Sequence, residues 1–182
     1  KDKGRAAVVL PDGTLFGEGV KTKLKKMLTE ECNLHTIVRL PNGVFNPYTG
    51  IKTNILFFTK GQPTKDIWFY EHPYPEGVKN YSKTKPMKFE EFQTEIDWWG
   101  DESDGFASRV ENDHAWKVSI DEVIGRNYNL DISNPYQGEV IDYDPNKLLA
   151  DYTKQQQSID TLRSQLKDVL GAALSANTTE GN

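Results

Sequence analysis

The first 72 residues alternate between short apolar runs and polar turns, a pattern that predicts the strands of a sheet. Apolar runs of four to eight residues bounded by Gly, Pro, Asn or Asp are typical of such strands. Four segments fit this description: GRAAVVLP (4 to 11), LHTIVRL (34 to 40), NILFFTK (54 to 60) and DIWFYEH (66 to 72). The first is predicted to be a buried strand, because its apolar run leads directly into Pro11 and the turn at Asp12 and Gly13.

A helix is predicted over residues 20 to 31, between the first two strands. Val20, Leu24, Met27 and Leu28 form one apolar stripe on it, and lysines occupy the other face. Strand, helix and strand at this spacing indicate a right-handed crossover unit of an open α/β sheet. No helical pattern separates the second and third strands, so these two are expected to pair antiparallel.

Beyond Pro73 the pattern loosens into loops that enclose two short predicted helices. KFEEFQTEIDWW (88 to 99) has a helical pattern, and SIDEVIGRN (119 to 127) opens with Ser119 and Glu122 in the positions of a capping box. The acidic stretch GDESDG (100 to 105) between them is expected to be a surface excursion. Both helices are expected to be packing elements, not sites.

A long amphipathic helix is predicted from residue 146 to residue 175. Its apolar positions recur at alternating spacings of three and four, as in a heptad seam: Tyr152, Gln155, Ile159, Leu162, Leu166, Val169 and Ala173. The last residues, 176 to 182, are expected to be a disordered tail. The predicted organisation is therefore a sheet domain over 1 to 75, a loop-rich extension over 76 to 145, the helix and the tail.

Charge is distributed unevenly along the chain, whose formal net charge is -5. Residues 1 to 60 carry ten Lys and Arg against five Asp and Glu, whereas residues 61 to 146 carry eight against eighteen. A basic segment of this kind favours contact with an anion such as a nucleic-acid backbone. The alternative is that its lysines form the solvated face of one helix.

Composition gives little support to redox, metal or membrane functions. Cys32 is the single cysteine, which excludes an internal disulfide, and the three histidines are too scattered to give a metal-ligand spacing with it. No apolar run approaches the length needed to cross a bilayer. We therefore expect a cytoplasmic protein without a metal ion or a membrane partner.

Four strings in this order carry a specific resemblance: GRAAVVLPDGTLFGEG, LHTIVRLPNGVF, GIKTNILFFTKG and DIWFYEH. Together with HAWKVSIDEVIGRNYNLDISNP (114 to 135), they resemble the modification subunit of type I restriction-modification systems, an adenine-specific DNA methyltransferase. A generic α/β enzyme shares the strand pattern, but it does not share the strings LPDGTLF and IKTN. The resemblance covers most of residues 4 to 136, and the acidic loop at 100 to 105 departs from it as an expected insertion.

The resemblance implies a fold class, a reaction and partners. The fold is the C-terminal half of a Rossmann-like methyltransferase sheet that ends in an antiparallel hairpin strand and is followed by the helical extension. The reaction transfers a methyl group from S-adenosylmethionine to the exocyclic amino group of adenine. The implied partners are double-stranded DNA, a specificity subunit, a second modification subunit and a restriction subunit.

Two motifs of the family are absent from this sequence. The family binds S-adenosylmethionine at a Gly-containing strand-to-helix turn and performs catalysis with an Asn-Pro-Pro-aromatic tetrapeptide, both upstream of GRAAVVLP. Asn46-Pro47-Tyr48 and Asn134-Pro135-Tyr136 each have one proline and follow the strands that the tetrapeptide precedes, so they are turn residues. The chain is thus expected to be a C-terminal part of a longer protein, inactive alone and with no cofactor-binding residue of its own.

Phe45 is the candidate for stacking on the target base. An enzyme that modifies the amino group of adenine must swing the base out of the duplex, and an aromatic face offsets part of the cost of unstacking. The resemblance places this aromatic in the loop before the last hairpin strand, where the sequence has Asn42-Gly43-Val44-Phe45. The alternative is that Phe45 plugs the edge of the core.

Five further residues are predicted to lie close to DNA or substrate. Pro11 and Asp12 follow the first strand, where open α/β sheets place their ligand crevice, although an ordinary turn has the same pattern. Lys52 and Asn54 are candidates for contact with phosphate or the target nucleotide, the alternative being a solvated Lys and a turn-forming Asn. Tyr48 belongs to the same loop as Phe45.

The long helix is predicted to dock on the specificity subunit through Ile159, Leu162, Leu166 and Val169, as the resemblance implies. The alternative is that its seam packs on its own domain. Two functions therefore remain: part of a methyltransferase core, or an interaction module that docks on the specificity subunit. An unrelated small-molecule enzyme on a doubly wound sheet requires a Gly-rich phosphate turn or an acid-base pair, and neither is recognisable here.

Overall fold

The computed structural model describes residues 1 to 136, residue 149 and residues 152 to 167. The chain divides into one compact unit over Lys1–Gly138 and another over Glu139–Asn182. Within the described residues, no helix has the length and apolar character that crossing a membrane requires.

The first unit is built on a five-stranded mixed sheet. Its strands are β1 (Arg5–Pro11), β2 (Cys32–Arg39), β3 (Thr53–Lys60), β4 (Asp66–Glu71) and β5 (Ala115–Ser119). Their order across the sheet is β1-β3-β2-β4-β5. The predicted antiparallel pairing of the second and third strands is confirmed, and β3 also pairs antiparallel with β1. The strands β1 and β2 therefore run parallel with β3 between them, and the sheet continues through β4, which is parallel to β2.

Helices and loops cover the two faces of this sheet. Alternating side chains point to opposite faces of a strand, so Ile37 and Phe69 belong to one apolar cluster while their neighbours Val38 and Tyr70 belong to the other. The helices α1 (Gly13–Phe16), α2 (Val20–Glu31) and α4 (Ile120–Gly125) contribute to the first cluster. The second cluster contains Trp98 and Trp99 from the end of α3 (Gln93–Trp98) and the residue that follows it.

Two expectations about burial are wrong. The first strand is mostly exposed, not buried, because β1 is the outermost strand of the sheet and pairs on one side only. Most of the predicted stripe of α2 also faces outward, since Val20, Leu24 and Met27 are exposed and only Leu28 packs against the first apolar cluster. The helix instead buries Lys25 and Thr29. The Lys25 ammonium donates to the Leu15 carbonyl oxygen at 2.6 Å, so it satisfies the backbone at the end of α1.

The other predicted elements of the first unit are confirmed, but one strand was not predicted. Residues 88 to 99 contain a 3₁₀ turn (Phe89–Phe92) followed by α3, as the helical pattern predicted. Ser119 caps α4, since its Oγ accepts a hydrogen bond from the Glu122 amide at 3.2 Å. The strand β5 immediately before it was not predicted. It pairs antiparallel with β4 and places Trp116 against Phe69 in a stacked arrangement.

In the second unit, residues 152 to 167 are helical and exposed. The predicted seam residues Ile159, Leu162 and Leu166 lie on this helix. Val169, the remainder of the predicted helix and the predicted tail lie outside the described residues.

We expect His35, on the second face of the sheet, to make the stability of the protein depend on pH. The side chain is buried against Phe106 and Trp99, and its Nδ1 lies 2.8 Å from the Thr36 hydroxyl oxygen. Burial lowers the pKa of His35 from 6.5 to about 4, an effect that Glu102 opposes and Arg109 reinforces. The unfolded chain binds the proton first, so we expect the free energy of unfolding to fall as the pH is lowered from about 6.5 to 4.

Replacing His35 with Gln, which keeps a polar side chain without titrating, should make this decline shallower. Urea unfolding of the intact protein and of His35→Gln between pH 4 and pH 7 measures the difference. Parallel pH profiles for the two proteins would show that His35 titrates alike in the folded and unfolded chains.

Candidate functional site

The parallel strands end together at one edge of the sheet. The register pairs Pro11, the last residue of β1, with Thr53 and pairs Arg39, the last residue of β2, with both Asn54 and Glu71. The carboxyl ends of β1, β2 and β4 therefore meet beside the start of β3. This edge is where open α/β sheets place their ligands.

A polar network crosses this edge. Asn54 donates from Nδ2 to Asp12 Oδ1 at 3.0 Å, and the Arg39 guanidinium lies 3.6 Å from the same oxygen. The Asp12 amide donates to the Lys52 carbonyl oxygen at 2.9 Å, which fixes the turn after β1 against the start of β3. Residues at the end of β2 and the start of β3 thus hold the carboxylate that follows β1 in place.

Arg39 also ties the network to the segment after α4. Its guanidinium donates to Asp131 Oδ1 at 2.8 Å and to the Ile132 carbonyl oxygen at 3.0 Å. Two carboxylates therefore share one cation that is largely buried. A guanidinium that is held by acceptors on both sides is a rigid support for the residues around it.

A cavity of about 280 Å³ opens beside this network. Its lining includes Asp12, Lys52 and Asn54 together with His72 and His114. Three buried polar atoms of this lining, Asn54 Oδ1, His72 Nε2 and His114 Nδ1, have no hydrogen-bond partner among the described residues. Buried polar groups are normally paired, so the unpaired atoms mark this cavity as a candidate binding site.

A buried hydrogen bond to a carboxylate supports His72 from behind. His72 and Glu95 are each only 3% exposed, and His72 Nδ1 contacts Glu95 Oε1. Thr94 donates to the other carboxylate oxygen at 2.9 Å. This contact fixes the orientation of the imidazole, whose second nitrogen, Nε2, is buried without a hydrogen-bond partner among the described residues.

The loop between β2 and β3, residues 40 to 52, lies at the same edge. Its turn is closed by hydrogen bonds from the Asn46 amide to the Gly43 carbonyl oxygen and from the Tyr48 amide to the Phe45 carbonyl oxygen. Gly43 has a φ of 81°, and a Cβ there would lie 2.3 Å from Asn80 Oδ1, so no larger residue fits. Asn46 further anchors the loop by donating to the Tyr81 carbonyl oxygen at 2.9 Å.

The structure brings together four of the six residues predicted to lie at the site. Pro11 ends β1, and Asp12, Lys52 and Asn54 line the cavity. Phe45 and Tyr48 lie on the loop above the same edge but do not line the cavity. They are 39% and 93% exposed, whereas Val44 between Gly43 and Phe45 packs against the second apolar cluster.

Arg39, His72, His114 and Glu95 were not predicted from the sequence. Arg39 and His72 each follow an apolar run and precede a Pro closely, in RLP and EHP, which is the available signal for a polar residue at a strand end. Glu95 gave no such signal, because it reaches His72 only through the packing of α3 on the sheet. Among the described residues, no group of three or more His, Cys, Asp or Glu is placed to bind a metal ion.

Comparisons with a family model and with known proteins all identify the same family. The family model described as N-6 DNA Methylase matches residues 1–144. The methylase subunit of the type I restriction enzyme EcoEI from Escherichia coli is 80% identical over 176 residues, which is 97% of this chain and 36% of that protein. The EcoKI methylase subunit from Escherichia coli strain K12 is 36% identical over 129 residues, 66% of this chain and 24% of that protein.

Solved structures agree with these sequence matches. A modification subunit of a putative type I restriction enzyme from Vibrio vulnificus matches with a TM-score of 0.68 at 47% sequence identity. The match covers 77% of this chain and 29% of the Vibrio vulnificus chain. The EcoKI M protein matches with a TM-score of 0.61 at 31% sequence identity, and the match covers 72% of this chain and 34% of the EcoKI M chain. The chain therefore spans between a quarter and about a third of the length of the proteins it matches.

Proposed function

Because the chain belongs to the N-6 DNA methylase family, we propose that it is part of the modification subunit of a type I restriction-modification system. The observation that carries this proposal is the 80% identity to the EcoEI methylase subunit over nearly the whole chain. In the proposed reaction, the subunit transfers a methyl group from S-adenosylmethionine to the exocyclic amino group of adenine in DNA. The described sheet is the C-terminal half of a Rossmann-like methyltransferase sheet, with β2 and β3 as its hairpin.

The edge where β1, β2 and β4 end is the face that meets the target nucleotide. Phe45 stacks on the flipped adenine from the loop between β2 and β3. This role is supported by its exposure and by its absence from both apolar clusters, while Val44 anchors the loop in the core. The aromatic ring is thus presented outward by a loop that is fixed at Gly43 and Asn46.

Polar residues beneath the loop position the DNA strand. Lys52 is exposed on the rim of the cavity, where its ammonium can contact a phosphate. Asn54 is 1% exposed and is oriented by Asp12, so its free Oδ1 is a fixed acceptor for a donor group of the nucleotide. Tyr48, almost fully exposed at the tip of the loop, lies near the DNA backbone or a neighbouring base.

We infer that S-adenosylmethionine binds to residues other than those that line the cavity beside Asp12. The cavity at the sheet edge, about 280 Å³, is at the lower limit for a ligand site and lies on the β2 and β3 side of β1. The turn after β1 enters a helix of only four residues, Gly13–Phe16. Neither feature supports an S-adenosylmethionine site at this end of the sheet, so we assign none of these residues to the cofactor.

We accordingly expect the isolated 182-residue chain to bind S-adenosylmethionine weakly or not at all. Titration calorimetry of the chain with the cofactor measures this, and the intact subunit provides the positive control. Micromolar binding by the isolated chain would place the cofactor site within these residues and contradict the assignment.

The proposed partners follow from the same family. They are double-stranded DNA, a specificity subunit, a second modification subunit and a restriction subunit. The specificity subunit docks on the helix that includes residues 152 to 167, through Ile159, Leu162, Leu166 and Val169. The exposure of the first three residues supports this contact. It also favours a second function, that of an interaction module within the complex.

Methylation by the intact protein tests the proposal directly. The full-length subunit is expressed with its specificity subunit in a host that lacks adenine methylation, and the host DNA is digested and examined for N6-methyladenine by mass spectrometry. We expect N6-methyladenine at one recurring sequence. Its absence from DNA of cells that contain the folded complex would contradict the proposed activity.

A further inference from the structure

A second cavity lies at the opposite edge of the sheet, where β2 and β4 begin and β3 ends. Its volume is about 1060 Å³, and it shares no lining residue with the cavity beside Asp12. Thr59 at the end of β3, Trp68 of β4 and Arg109 are among its lining residues. Nothing in the proposed methyl transfer uses this edge.

Arg109 is a buried cation within this lining. It is 5% exposed, and its guanidinium carbon lies 3.7 Å from the Phe106 ring centroid and 4.5 Å from the Trp98 ring. Its Nε donates to the Trp99 carbonyl oxygen at 2.7 Å, and its Nη1 donates to the Thr36 hydroxyl oxygen at 2.8 Å. These contacts hold the plane of the guanidinium in one orientation.

The third nitrogen of this guanidinium, Nη2, is buried without a hydrogen-bond partner among the described residues. No carboxylate forms a salt bridge with Arg109 in that part of the chain. A buried charge without an ionic partner is costly, and aromatic faces offset only part of that cost. Burial accordingly lowers the pKa of Arg109 to about 10, although the nearby Glu102 carboxylate opposes this shift.

The surroundings of Arg109 favour an anion. Six Lys and Arg side chains line the cavity against four Asp and Glu, although the chain as a whole carries more acidic than basic residues. Lys60, Lys65 and Lys117 are exposed members of this lining. Thr59 Oγ1 is also buried in the lining without a partner among the described residues, and it can donate a hydrogen bond.

We propose that this cavity binds a phosphate-bearing ligand, with Arg109 and Thr59 as buried donors in its lining and Lys60, Lys65 and Lys117 as exposed cations around it. A guanidinium held in a fixed plane matches the geometry of phosphate oxygens. Trp68 also belongs to the lining, and its aromatic ring favours a nucleobase attached to that phosphate. The ligand is therefore a free nucleotide or a nucleotide of a single strand.

Titration of the intact subunit with inorganic phosphate, followed by ³¹P line broadening, tests the site. Arg109→Gln should weaken phosphate binding roughly tenfold, because a hydrogen bond to a charged group is lost. The double variant Lys60→Gln and Lys65→Gln should weaken it several-fold without affecting the fold. The matched control is Lys79→Gln with Lys83→Gln, two exposed lysines outside the cavity lining, and it should leave binding unchanged.

Competition then distinguishes the two sources of phosphate. Displacement of phosphate by ADP but not by a short single-stranded oligonucleotide identifies a free nucleotide, and the reverse result identifies a strand. If circular dichroism shows that Arg109→Gln fails to fold, the proposal is tested by comparing phosphate binding of the Lys60 and Lys65 variant with that of the Lys79 and Lys83 control. The proposal is wrong if the wild-type protein binds no phosphate, or if both lysine pairs weaken binding equally, since that indicates diffuse surface attraction.

Discussion

In the intact subunit, Phe45→Ala lowers kcat/KM for DNA methylation roughly 5- to 150-fold, because base stacking on an aromatic side chain contributes about 1 to 3 kcal/mol. The melting temperature of the subunit stays close to that of the wild type. Phe45 is 39% exposed and outside both apolar clusters, so its truncation opens no cavity in the core. Methyl-transfer kinetics with a DNA duplex that contains the target site, together with thermal unfolding, measure both quantities.

Two further variants make the Phe45 result specific. Phe45→Trp keeps an aromatic face and should restore most of the activity. Phe89→Ala removes an even more exposed phenylalanine, which lies in the 3₁₀ turn before α3, and should have no effect on methylation. A large fall in melting temperature with Phe45→Ala would instead identify a core plug, since truncating a buried Phe costs about 3 to 5 kcal/mol.

The second large effect concerns assembly. Replacing Leu162 and Leu166 together by Asp should abolish co-purification of the subunit with its specificity subunit. Both side chains are about 60% exposed on the helix that includes residues 152 to 167, and two charges buried in an apolar contact are strongly unfavourable. Pull-down of the tagged specificity subunit from cells that express both proteins measures the loss.

The same helix offers a matched control. Gln157 and Ser164 lie on the face opposite Leu162 and Leu166, given 3.6 residues per turn, so Gln157→Asp with Ser164→Asp adds the same charge and should leave assembly intact. Thermal unfolding of each double variant reports on the fold of the sheet domain. Normal assembly of the leucine variant, or unfolding of its whole domain, would show that the helix is an internal packing element.

The sheet was predictable where its strands form long apolar runs. The strands β1 to β4 each contain such a run, and the pairing of β2 with β3 followed from the absence of a helix between them. The short strand β5 was missed because AWKVS leads directly into the capping signal at Ser119. Its alternation of buried and exposed residues becomes evident only beside β4.

Burial was less predictable than secondary structure. Amphipathicity indicates which face of α2 is apolar, but the packing of α2 is set by Lys25, whose ammonium satisfies carbonyl oxygens of Leu15 and Gly17. The long aliphatic part of a lysine can be buried when its charge finds such partners. Composition alone does not indicate where those carbonyl groups are.

The candidate site was predictable in part for a related reason. Four of its residues lie at the end of β1 or at the start of β3, two positions that the strand pattern identifies: Pro11, Asp12, Lys52 and Asn54. The fold class was therefore enough to bring them together. His72 joins them because β4 lies next to β2 in the sheet, and Glu95 joins them because α3 covers that face. Both contacts depend on the strand order and on tertiary packing, which local periodicity does not determine.

The most direct test of the central claim is to locate the target base on the protein. A duplex in which 5-iodouracil replaces the methylated adenine is bound by the intact complex and irradiated with long-wavelength ultraviolet light, and the cross-linked peptide is identified by mass spectrometry. The proposed stacking predicts a cross-link at Phe45, in the loop between β2 and β3. Cross-links confined to residues outside the loop 40 to 52 would contradict the assignment of this sheet edge to the target adenine.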